Sequence, residues 1–501
     1  MKKFLWVLYI LPLCNFSQSP NFSEDIAPIF YNKCTQCHHS GGVAPFSLID
    51  YTTASAFSNS GAIPYMVSNG LMPPWPPDST YQNYAHERTL SQNEIDLILD
   101  WANLGSPEGD PSLAPPLPFY NDESILSNPD LILKIPPYTS TASSEDEYVC
   151  FTLPTGLIND KKIKAIEIVP GNRQIVHHTL AFVDNNQLPS IINDCMGVDG
   201  KLISTYAPGM EPVIFPNTDN IKMGMTIEAN SNIILQMHYP AGSIGQVDST
   251  AIHLFFYDDN VQNIREVFIE RLLENWNLFI PANNITSFNA YYPLGNNFLS
   301  DDFSLLAILP HMHLIGKEIK SYSVNANYDT IPLVKIKNWD FEWQQFYFFK
   351  NLIKLDIGSK LYSKATFDNT TNNIHNPNSP PVDVYAGEAT TDEMFVNYLM
   401  YTYYELGDEN LNLENMITLT IEDLNQPLSH NIYPNPSNNH VAFEFKGNSA
   451  DLKIWNILGE IVLEKRIISQ KAQSVANLKS GVYVYQIKNI HGVAKSKLII
   501  Y

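Results

Sequence analysis

The sequence predicts a multidomain, mainly β protein: a small all-α domain, two tandem antiparallel β-sandwich subdomains of jelly-roll type, and a small C-terminal β-sandwich. From about residue 126 onward, short runs of Val, Ile, Phe, Tyr and Thr are broken by Asn, Asp, Gly and Pro, which is typical of sandwich strands and turns. Before residue 105, apolar residues recur at helical spacing. The length of 501 residues predicts about three to four domains.

The composition indicates a folded protein whose partners are not nucleic acids. Hydrophobic residues make up 44% of the chain and charged residues 16%, so we expect a large buried core. The 30 Lys+Arg and 52 Asp+Glu give a formal net charge of −22 at pH 7. Phosphate binding requires clustered Lys and Arg, and the sequence has no basic block. Nucleic acids and anionic membrane surfaces are therefore disfavoured as partners.

Residues 1–19 are predicted to be a secretory signal peptide. Two lysines precede an apolar run over 4–16, and small or polar residues follow. The run is shorter than the roughly 18 residues of a membrane helix, and no later segment reaches that length. We therefore expect a secreted or cell-surface protein that is exported through the periplasm and has no membrane span. Cys14 would be removed with this segment, because Leu13 before it disfavours a lipoprotein cleavage site.

Residues 20–108 are predicted to form the helical domain. Apolar residues at helical spacing occupy 25–31 and 90–101, and a Ser followed three residues later by Glu gives the second helix a capping box. The Pro-, Gly- and Asp-rich stretch that follows can continue neither a helix nor a central strand. We assign 109–125 to a linker.

The rest of the chain divides into three β units. The first two sandwiches are assigned to 126–275 and 276–422, with strands such as 232–239. The last unit, 431–501, contains alternating strands and is long enough for a small sandwich.

Cys34-Thr-Gln-Cys37-His38 has the C-x-x-C-H spacing of covalent haem attachment. One helical turn would present both sulfurs to the haem vinyl groups while the adjacent His ligates the iron. A redox C-x-x-C or half of a zinc site is the alternative, but the sequence has no second such pair. Met72, in a Pro-rich loop, is the candidate second axial ligand, or else a core Met; His39 is too close in sequence to reach the opposite haem face. The segment resembles the small cytochrome c domains of bacterial secreted proteins, which implies one covalently bound c-type haem.

Three histidine motifs in the central region suit metal chelation. One pair is adjacent, one His ends a strand and one pair is separated by a single residue: His177, His178, His238, His311 and His313. Residues i and i+2 of a strand share a face, so the last pair can hold one ion. Adjacent residues point apart and share an ion only where a strand is twisted or ending. A single His is more often an ordinary core or surface residue, but five of 13 histidines in three motifs weaken that interpretation.

The order of these motifs resembles the copper type II, ascorbate-dependent monooxygenases, the family of dopamine β-monooxygenase and peptidylglycine α-hydroxylating monooxygenase. The similarity spans roughly residues 126–420, and it rests on His177-His178, Gln236-Met-His-Tyr239, His311-Met-His-Leu-Ile-Gly-Lys317 and Thr391-Asp-Glu-Met-Phe-Val-Asn-Tyr398. The resemblance implies two copper ions in separate sandwich subdomains across a solvent-filled gap. It also implies O₂ and a one-electron donor, an ascorbate-like reductant or a redox protein, as partners.

The resemblance further implies a role for each metal ligand. The ligands of the electron-transferring copper would be His177, His178 and His238, and those of the O₂-binding copper would be His311, His313 and Met394. Imidazoles suit both copper oxidation states, whereas a thioether favours Cu(I), the state that meets O₂. Without the resemblance, Met394 would be interpreted as a core Met.

The family comparison also covers its disulfide positions and two positions related to substrate binding. Cys150 and Cys195 resemble one family disulfide, and two free thiols are the alternative that export disfavours. The family disulfide next to the Met ligand is missing, because Phe395 stands there. Leu309 occupies the place of the Arg that holds a carboxylate in the peptide-hydroxylating branch. Tyr398 matches a Tyr that lines the substrate side in that branch, and a core Tyr is an equal interpretation.

The last unit resembles the C-terminal sorting domain that the type IX secretion system of Bacteroidetes reads. The resemblance covers 431–501 and rests on 433–437, 452–459 and 478–485. It implies the type IX secretion machinery as a partner, and the alternative is an ordinary adhesive sandwich.

The expectation from all these features is a secreted copper monooxygenase that hydroxylates a C–H bond of a small organic substrate. A c-type haem held by Cys34, Cys37, His38 and Met72 would relay electrons to the first copper. The alternatives are a non-catalytic haem and copper redox or binding protein, and a secreted adhesin or glycan binder with an ancillary haem.

Overall fold

A computed structural model describes most of the chain after its first 18 residues. The described residues are 19–118, 124–126, 128–186, 188–195, 198, 200–218, 220–416, 428, 430–447, 449–456, 461–489 and 492–501. The predicted signal peptide and Cys14 lie outside them, apart from residue 19, as does the middle of the predicted linker. The chain divides into two compact units: the first holds residues up to 125 and 129–416, and the second holds 126–128 and 417–501.

Short helices form the N-terminal part of the first unit. The expected capping box is confirmed, because Ser91 Oγ accepts from the Glu94 N–H while the Glu94 carboxylate accepts from the Ser91 N–H. Phe22, Phe30 and Trp101 pack together in a small core. The helices are a π-helical turn Phe22–Ile26, α1 (Ala27–Lys33), α2 (Tyr51–Asn59), α3 (Ala62–Ser68) and α4 (Gln92–Asn103), followed later by the 3₁₀ turns Pro111–Leu113 and Asp408–Asn410 and by α5 (Leu413–Met416).

The first sandwich consists of two main sheets. Its strands are β1 (Leu131–Lys134), β2 (Tyr138–Thr139), β3 (Glu147–Pro154), β4 (Lys161–Val169), β5 (His178–Asp184), β6 (Ile191–Asn193), β7 (Lys201–Tyr206), β8 (Val213–Ile214), β9 (Met223–Ile227), β10 (Asn232–Tyr239), β11 (Val247–Asp248), β12 (Ala251–Phe256) and β13 (Arg265–Glu266). The sheet orders are β1-β12-β4-β9-β13 and β6-β3-β10-β5-β7. Nearly every residue of β10 and β12 is buried, so both faces of these central strands are covered.

The second sandwich packs two four-stranded antiparallel sheets around one apolar core. Its strands are β14 (Phe268–Glu274), β15 (Phe279–Ile280), β16 (Asn284–Tyr292), β17 (Phe303–His311), β18 (Gly316–Val324), β19 (Thr330–Ile336), β20 (Tyr347–Leu355), β21 (Lys360–Asn369), β22 (Val384–Tyr385) and β23 (Val396–Tyr403). The sheet orders are β14-β23-β17-β20 and β16-β21-β18-β19. Because β13 pairs with β9 whereas β14 pairs with β23, the chain passes between sandwiches at about residue 267, ahead of the boundary expected near 276.

Segment 75–88 of the helical region is built into the second sandwich. The side chain of Tyr84 is 2% exposed, its ring stacks on Phe349, and its hydroxyl donates to Leu333 O at 2.8 Å. Backbone hydrogen bonds add the segment to the edges of β19 and β20: Asp78 N to Lys335 O, Ala85 N to Phe348 O and Lys350 N to Asn83 O. The helices expected over 20–108 are present, but this segment shares the core of the neighbouring sandwich instead of packing only with them.

The second unit contains the C-terminal strands. They are β24 (His430–Tyr433), β25 (His440–Phe445), β26 (Ser449–Trp455), β27 (Ile461–Ile468), β28 (Ala472–Ser474), β29 (Gly481–Asn489) and β30 (Gly492–Ile500), in sheets ordered β24-β25-β28 and β27-β26-β29-β30. Both sheets contribute to one core around Phe443, Leu452 and Tyr485. The multidomain, mainly β class is confirmed. Among the described residues, no helix is long and apolar enough to span a membrane.

Candidate metal centres

Three histidine side chains of the first sandwich converge on one point. Strands β5 and β10 pair so that His178 lies opposite His238, and the His177 N–H donates to His238 O at 3.1 Å. The Nδ1 atoms of His178 and His238 are 3.0 Å apart, and each lies 3.2 Å from Nδ1 of His177. Because β5 begins at His178, its neighbour His177 precedes the strand and escapes the alternation that would point the two rings apart. We call these three residues the first cluster.

Burial disfavours the charged form of two histidines of the first cluster, His177 and His178. Burial is the main reason that the pKa of His177 is lowered to about 4, and the nearby His238 is the second reason. Burial also holds the pKa of His178 well below the usual range. A neutral imidazole has one ring nitrogen with a free lone pair, which is the form that ligates metals. Three imidazole nitrogens at these separations form a donor set that suits copper.

Two neighbours that sequence reasoning missed fix the ring of His238. Its Nε2 lies 3.0 Å from Asp146 Oδ2, a carboxylate–histidine contact of the kind that orients metal-ligating imidazoles. The hydrogen bond with His238 is the main reason that the pKa of Asp146 is lowered. The ring of Tyr148 stacks on His238 with centroids 4.5 Å apart and planes 4° from parallel. Strand register brings Tyr148 onto His238, since the two residues pair across β3 and β10.

A second histidine pair lies in the second sandwich. The ring centroids of His311 and His313 are 5.1 Å apart, with planes at 85°. Strand β17 ends at His311, so His313 reaches its position from the turn before β18 and not from the same strand face. Nδ1 of His311 contacts Gln344 Oε1, and Nδ1 of His313 lies 3.1 Å from Asp392 O. Burial lowers the pKa of His311 to about 4 and that of His313 to about 3.

A buried carboxylate connects this pair to the predicted Met ligand. Glu393 is fully buried and accepts the N–H of His313 at 2.9 Å and that of Ile315 at 2.7 Å. Its burial raises the pKa of the Glu393 carboxyl to about 8, against the opposing effect of hydrogen bonds that include one from the Met394 N–H. Met394 is therefore attached to the turn that carries His313. We call His311, His313 and Met394 the second cluster.

The two residues expected on the substrate side lie next to each other. Leu309 and Tyr398 are paired in register across β17 and β23. Burial raises the pKa of Tyr398 to about 12, so its hydroxyl stays protonated. The pair therefore offers an apolar side chain beside a neutral phenol.

The two clusters lie on facing sides of their sandwiches. Phe341 lies between them, with its ring centroid 6.1 Å from His177, 6.2 Å from His178 and 6.0 Å from His313. A second bridge is the 2.6 Å hydrogen bond between the Tyr148 hydroxyl and Thr390 Oγ1. The structure thus brings together three histidine motifs that lie 60 and 73 residues apart along the sequence.

The C-x-x-C-H motif forms a single turn after α1. Cys34 O accepts from both the Cys37 and His38 N–H groups, which places the two cysteines and the histidine within one turn. Nδ1 of His38 lies 3.1 Å from Phe46 O, so Nε2 is the nitrogen left for a metal. Among the described cysteines, Cys34 and Cys37 are unpaired. This donor set fits covalent haem attachment.

Two residues are candidates for a second ligand of a bound haem iron. Met72 is partly exposed and follows α3. His86 was missed by sequence reasoning: its Nε2 is buried without a hydrogen-bond partner, and its backbone has a left-handed φ of 54°. An unpaired buried nitrogen on a strained residue is costly unless something binds it. His39, in contrast, is buried and bonds locally, with Nδ1 2.9 Å from Ser40 O.

The expected disulfide is confirmed. Cys150 and Cys195 are bonded, with Cα atoms 5.6 Å apart across 45 residues of sequence. It joins β3, which carries Tyr148, to the chain after β6.

Two protein families match parts of the chain. Residues 279–419 match the copper type II ascorbate-dependent monooxygenase, C-terminal domain. These residues are a copper type II monooxygenase domain. Residues 431–501 match the secretion system C-terminal sorting domain, which indicates export by type IX secretion to the cell surface or beyond. The copper monooxygenase domain includes the whole second cluster, and the sorting domain confirms the expectation for the tail.

Curated relatives extend the similarity beyond that domain. A tyramine beta-hydroxylase of Caenorhabditis briggsae is 19% identical over 253 residues, which cover 47% of this chain and 41% of the relative. A DBH-like monooxygenase protein 1 of Mus musculus is 22% identical over 284 residues, covering 50% and 43%. The chain thus spans less than half the length of these relatives. Among solved structures, a biofilm-associated protein BSP domain matches over 77% of this chain and 84% of that domain, at 10% identity. The TM-score of 0.15 is too low to indicate a shared fold.

Proposed function

We propose that the protein is a secreted copper-dependent monooxygenase that hydroxylates a C–H bond of a small organic substrate. The observation that carries the proposal is the convergence of three Nδ1 atoms within 3.2 Å of one another, opposite a second histidine pair. The copper type II domain at 279–419 supports the same chemistry. The overall reaction uses one O₂, two electrons and two protons and yields the hydroxylated product and one water.

The first cluster would hold the electron-transferring copper. His178 and His238 come from the paired strands β5 and β10, and the His177 N–H donates to His238 O, so backbone hydrogen bonds fix the spacing of the three imidazoles. Asp146, whose carboxylate lies 3.0 Å from Nε2 of His238, orients the ring of that ligand. Copper held by these rings supplies one-electron transfer between Cu(II) and Cu(I).

The second cluster would hold the copper that meets O₂. His311 and His313 use Nδ1 for protein contacts, which leaves their Nε2 atoms for the metal. The thioether of Met394 favours the Cu(I) state that reacts with O₂. Tyr398 would lie on the substrate side. Because Leu309 stands at the place of the family's carboxylate-holding Arg and offers no cation, a carboxylate-anchored peptide substrate is disfavoured.

The C-x-x-C-H motif would hold a c-type haem that relays electrons to the first copper. Cys34 and Cys37 would form the thioethers, and His38 and Met72 would be the axial ligands. Each turnover needs two electrons delivered one at a time, and a covalent haem is a one-electron carrier. An ascorbate-like reductant or a redox protein would supply them.

The first test is the metal content and activity of the full chain after export through a periplasm and loading with copper. We expect two coppers and one covalent haem per chain, and O₂ consumption that depends on reductant and on substrate. Tyramine is the first probe, because the nematode relative is named after it. His238→Ala should lower the copper content to one, whereas the exposed His375→Ala should leave it at two.

The outcomes separate the proposal from its alternatives. One haem without stoichiometric copper would make the protein a cytochrome fused to a binding scaffold. Two coppers without O₂ consumption across a substrate panel would favour a non-catalytic redox or copper-binding protein.

The axial ligand can be tested independently of copper. Met72→Leu should remove the sulfur-to-iron charge-transfer band of the oxidised haem while the haem stays covalently attached. If the wild-type protein lacks that band and His86→Leu alters the spectrum instead, Met72 is not the ligand and the buried Nε2 of His86 takes its place.

A further inference from the structure

One loop contacts both histidine clusters and comes close to the C-x-x-C-H motif. It joins β19 to β20 and alternates partly buried aromatic residues with exposed acidic ones. We call it the aromatic loop, and its residues are Trp339, Asp340, Phe341, Glu342, Trp343 and Gln344.

The two ends of the aromatic loop hold the second cluster. Trp339 Nε1 donates to His313 O at 3.2 Å. Gln344 Oε1 contacts Nδ1 of His311, and its amide nitrogen donates to Phe341 O at 2.7 Å. The loop therefore sets the position of both histidines of this cluster.

The middle of the aromatic loop reaches the first cluster. The ring of Phe341 lies nearly parallel to that of His177 and at 86° to that of His178. The same ring faces His313 at 85°. An aromatic side chain is rigid and apolar, so Phe341 keeps a fixed spacing between the clusters and excludes water from the point where it lies.

Trp343 extends the aromatic loop to the C-x-x-C-H motif. Gly209, in the turn after β7, has a left-handed φ of 79°. A Cβ on it would lie 2.7 Å from Cys37 Sγ, 3.4 Å from Arg88 Nη1 and 3.8 Å from Trp343 Cζ3. Arg88 Nη2 also donates to Gly209 O at 2.5 Å. Cys37 Sγ and the Trp343 ring thus both lie within 4 Å of the same point beside Gly209, and glycine leaves room there for the Cys37 sulfur.

We propose that the aromatic loop is the shared positioning element of the three centres, and that Phe341 and Trp343 set the electronic coupling between the C-x-x-C-H motif and the copper clusters. This inference rests on the proposed function, since it requires both haem and copper to be bound. In each transfer, one electron leaves a ferrous haem, which becomes ferric, and one cupric ion becomes cuprous. An ascorbate-class reductant restores the ferrous haem.

The test is the rate at which the haem is reoxidised by copper inside the full-length, loaded protein. Protein with oxidised haem and cupric copper is mixed without O₂ with one reducing equivalent of ascorbate, and the haem absorbance is followed until the electron has passed to copper. Phe341→Leu and Trp343→Leu are each expected to slow this transfer about tenfold, which corresponds to ~1.4 kcal/mol of activation free energy. Haem attachment and copper stoichiometry should not change.

Matched variants distinguish coupling from damage to the fold. Phe341→Tyr keeps the ring and should restore the wild-type rate. Phe288→Leu removes an aromatic residue that packs on the core of the same sandwich and contacts Phe367, so it should leave the rate unchanged. The electron paramagnetic resonance spectrum of the cupric protein should change in Phe341→Leu and not in Phe288→Leu.

The outcomes keep the two proposals apart. One outcome is that the wild-type protein binds haem and two coppers and passes the electron, but Phe341→Leu and Trp343→Leu transfer it at the wild-type rate. In that case the aromatic loop does not set the electronic coupling, while the proposed function stands. If the wild-type protein lacks either haem or copper, or never passes the electron, the proposed relay itself fails.

Discussion

The two histidine clusters use their ring nitrogens in opposite ways. In the first cluster the Nδ1 atoms of His177, His178 and His238 point at one another, and the outward Nε2 of His238 meets a carboxylate. In the second, Nδ1 of both His311 and His313 contacts a protein oxygen. Only Nε2 is left there for a metal.

The difference follows from the elements that carry the rings. Paired strands β5 and β10 set the first cluster, so its geometry is as fixed as the sheet. Turns and loops set the second: the turn after β17, the aromatic loop and the residues before Met394. A site that only exchanges electrons benefits from ligands that do not rearrange, whereas a site that admits O₂ needs a free position. We therefore expect mutations to affect the clusters independently.

The largest expected effect comes from removing a histidine from either cluster. His238→Ala should lower the copper content from two to one and leave the second cluster loaded, and His311→Ala should do the reverse. Hydroxylation should fall by more than the about 100-fold that loss of an outer partner costs. Metal analysis with spectra of the remaining cupric site checks this. Loss of both coppers in either variant would mean that the clusters form one cooperative site.

Replacing the thioether of Met394 tests directly whether the two clusters differ in their ligands. Met394→Leu keeps the side-chain volume and removes the sulfur, so it should weaken Cu(I) binding at the second cluster and abolish hydroxylation while the haem spectrum stays unchanged. Cu(I) titration with a competing chelator measures the affinity. Met400→Leu, at a fully buried core position of β23, is the matched control and should keep full activity. Full activity in Met394→Leu would show that another residue completes the second cluster.

Outer partners should have intermediate and local effects. Asp146→Asn is expected to weaken copper binding at the first cluster by about 10–100-fold, because the carboxylate that orients His238 is lost. Gln344→Leu should have an effect of similar size at the second cluster only. Titrating each variant with copper shows which site has changed. An equal loss at both sites in either variant would contradict the independence of the clusters.

The smallest expected effect belongs to an ion pair that includes no residue of either cluster. The hydrogen bond from Lys337 is the main reason that the pKa of Asp78 is lowered to about 2, from about 3.9 in an unfolded chain. The ion pair therefore stabilises the fold above about pH 4, and its contribution is lost as the pH falls toward about 2. Lys337 is largely exposed, so Asp78→Asn should cost at most about 1 kcal/mol near pH 7. Urea unfolding at pH 7 and pH 2.5 checks the sign, and copper content should not change.

Local patterns in the sequence were enough to predict much of this architecture. Alternating apolar residues and turn residues indicated the strands, and the His177-His178 pair was correctly expected to need the end of a strand. Asp146 and Tyr148 could not be found this way, because the register of β3 against β10 places Tyr148 on His238 and Asp146 reaches that ring from the residue just before β3. Glu393 lay inside a recognised motif, but its burial is a property of the folded turn.

The aromatic loop had a signal that could have been used. Aromatic and acidic residues alternate from Trp339 to Trp343, which indicates an extended segment with one apolar face. What that face covers depends on three parts of the chain that meet only after folding: the turn at Gly209, the first cluster and Cys37. Segment 75–88 gives the same lesson, since nothing local predicts that Tyr84 packs in a sandwich that begins almost two hundred residues later.

The burial of Tyr84 limits how this protein can be divided. A fragment that began at the first sandwich would leave an unfilled hole beside Phe349 and two uncovered sheet edges, and a cavity left by a large aromatic side chain costs about 3–5 kcal/mol. The region with the C-x-x-C-H motif is therefore not an interchangeable module on a tether. Any ancestor that acquired it by fusion had to reshape the neighbouring sandwich to receive it, and exchanging it for another electron carrier would require redesigning both partners at once.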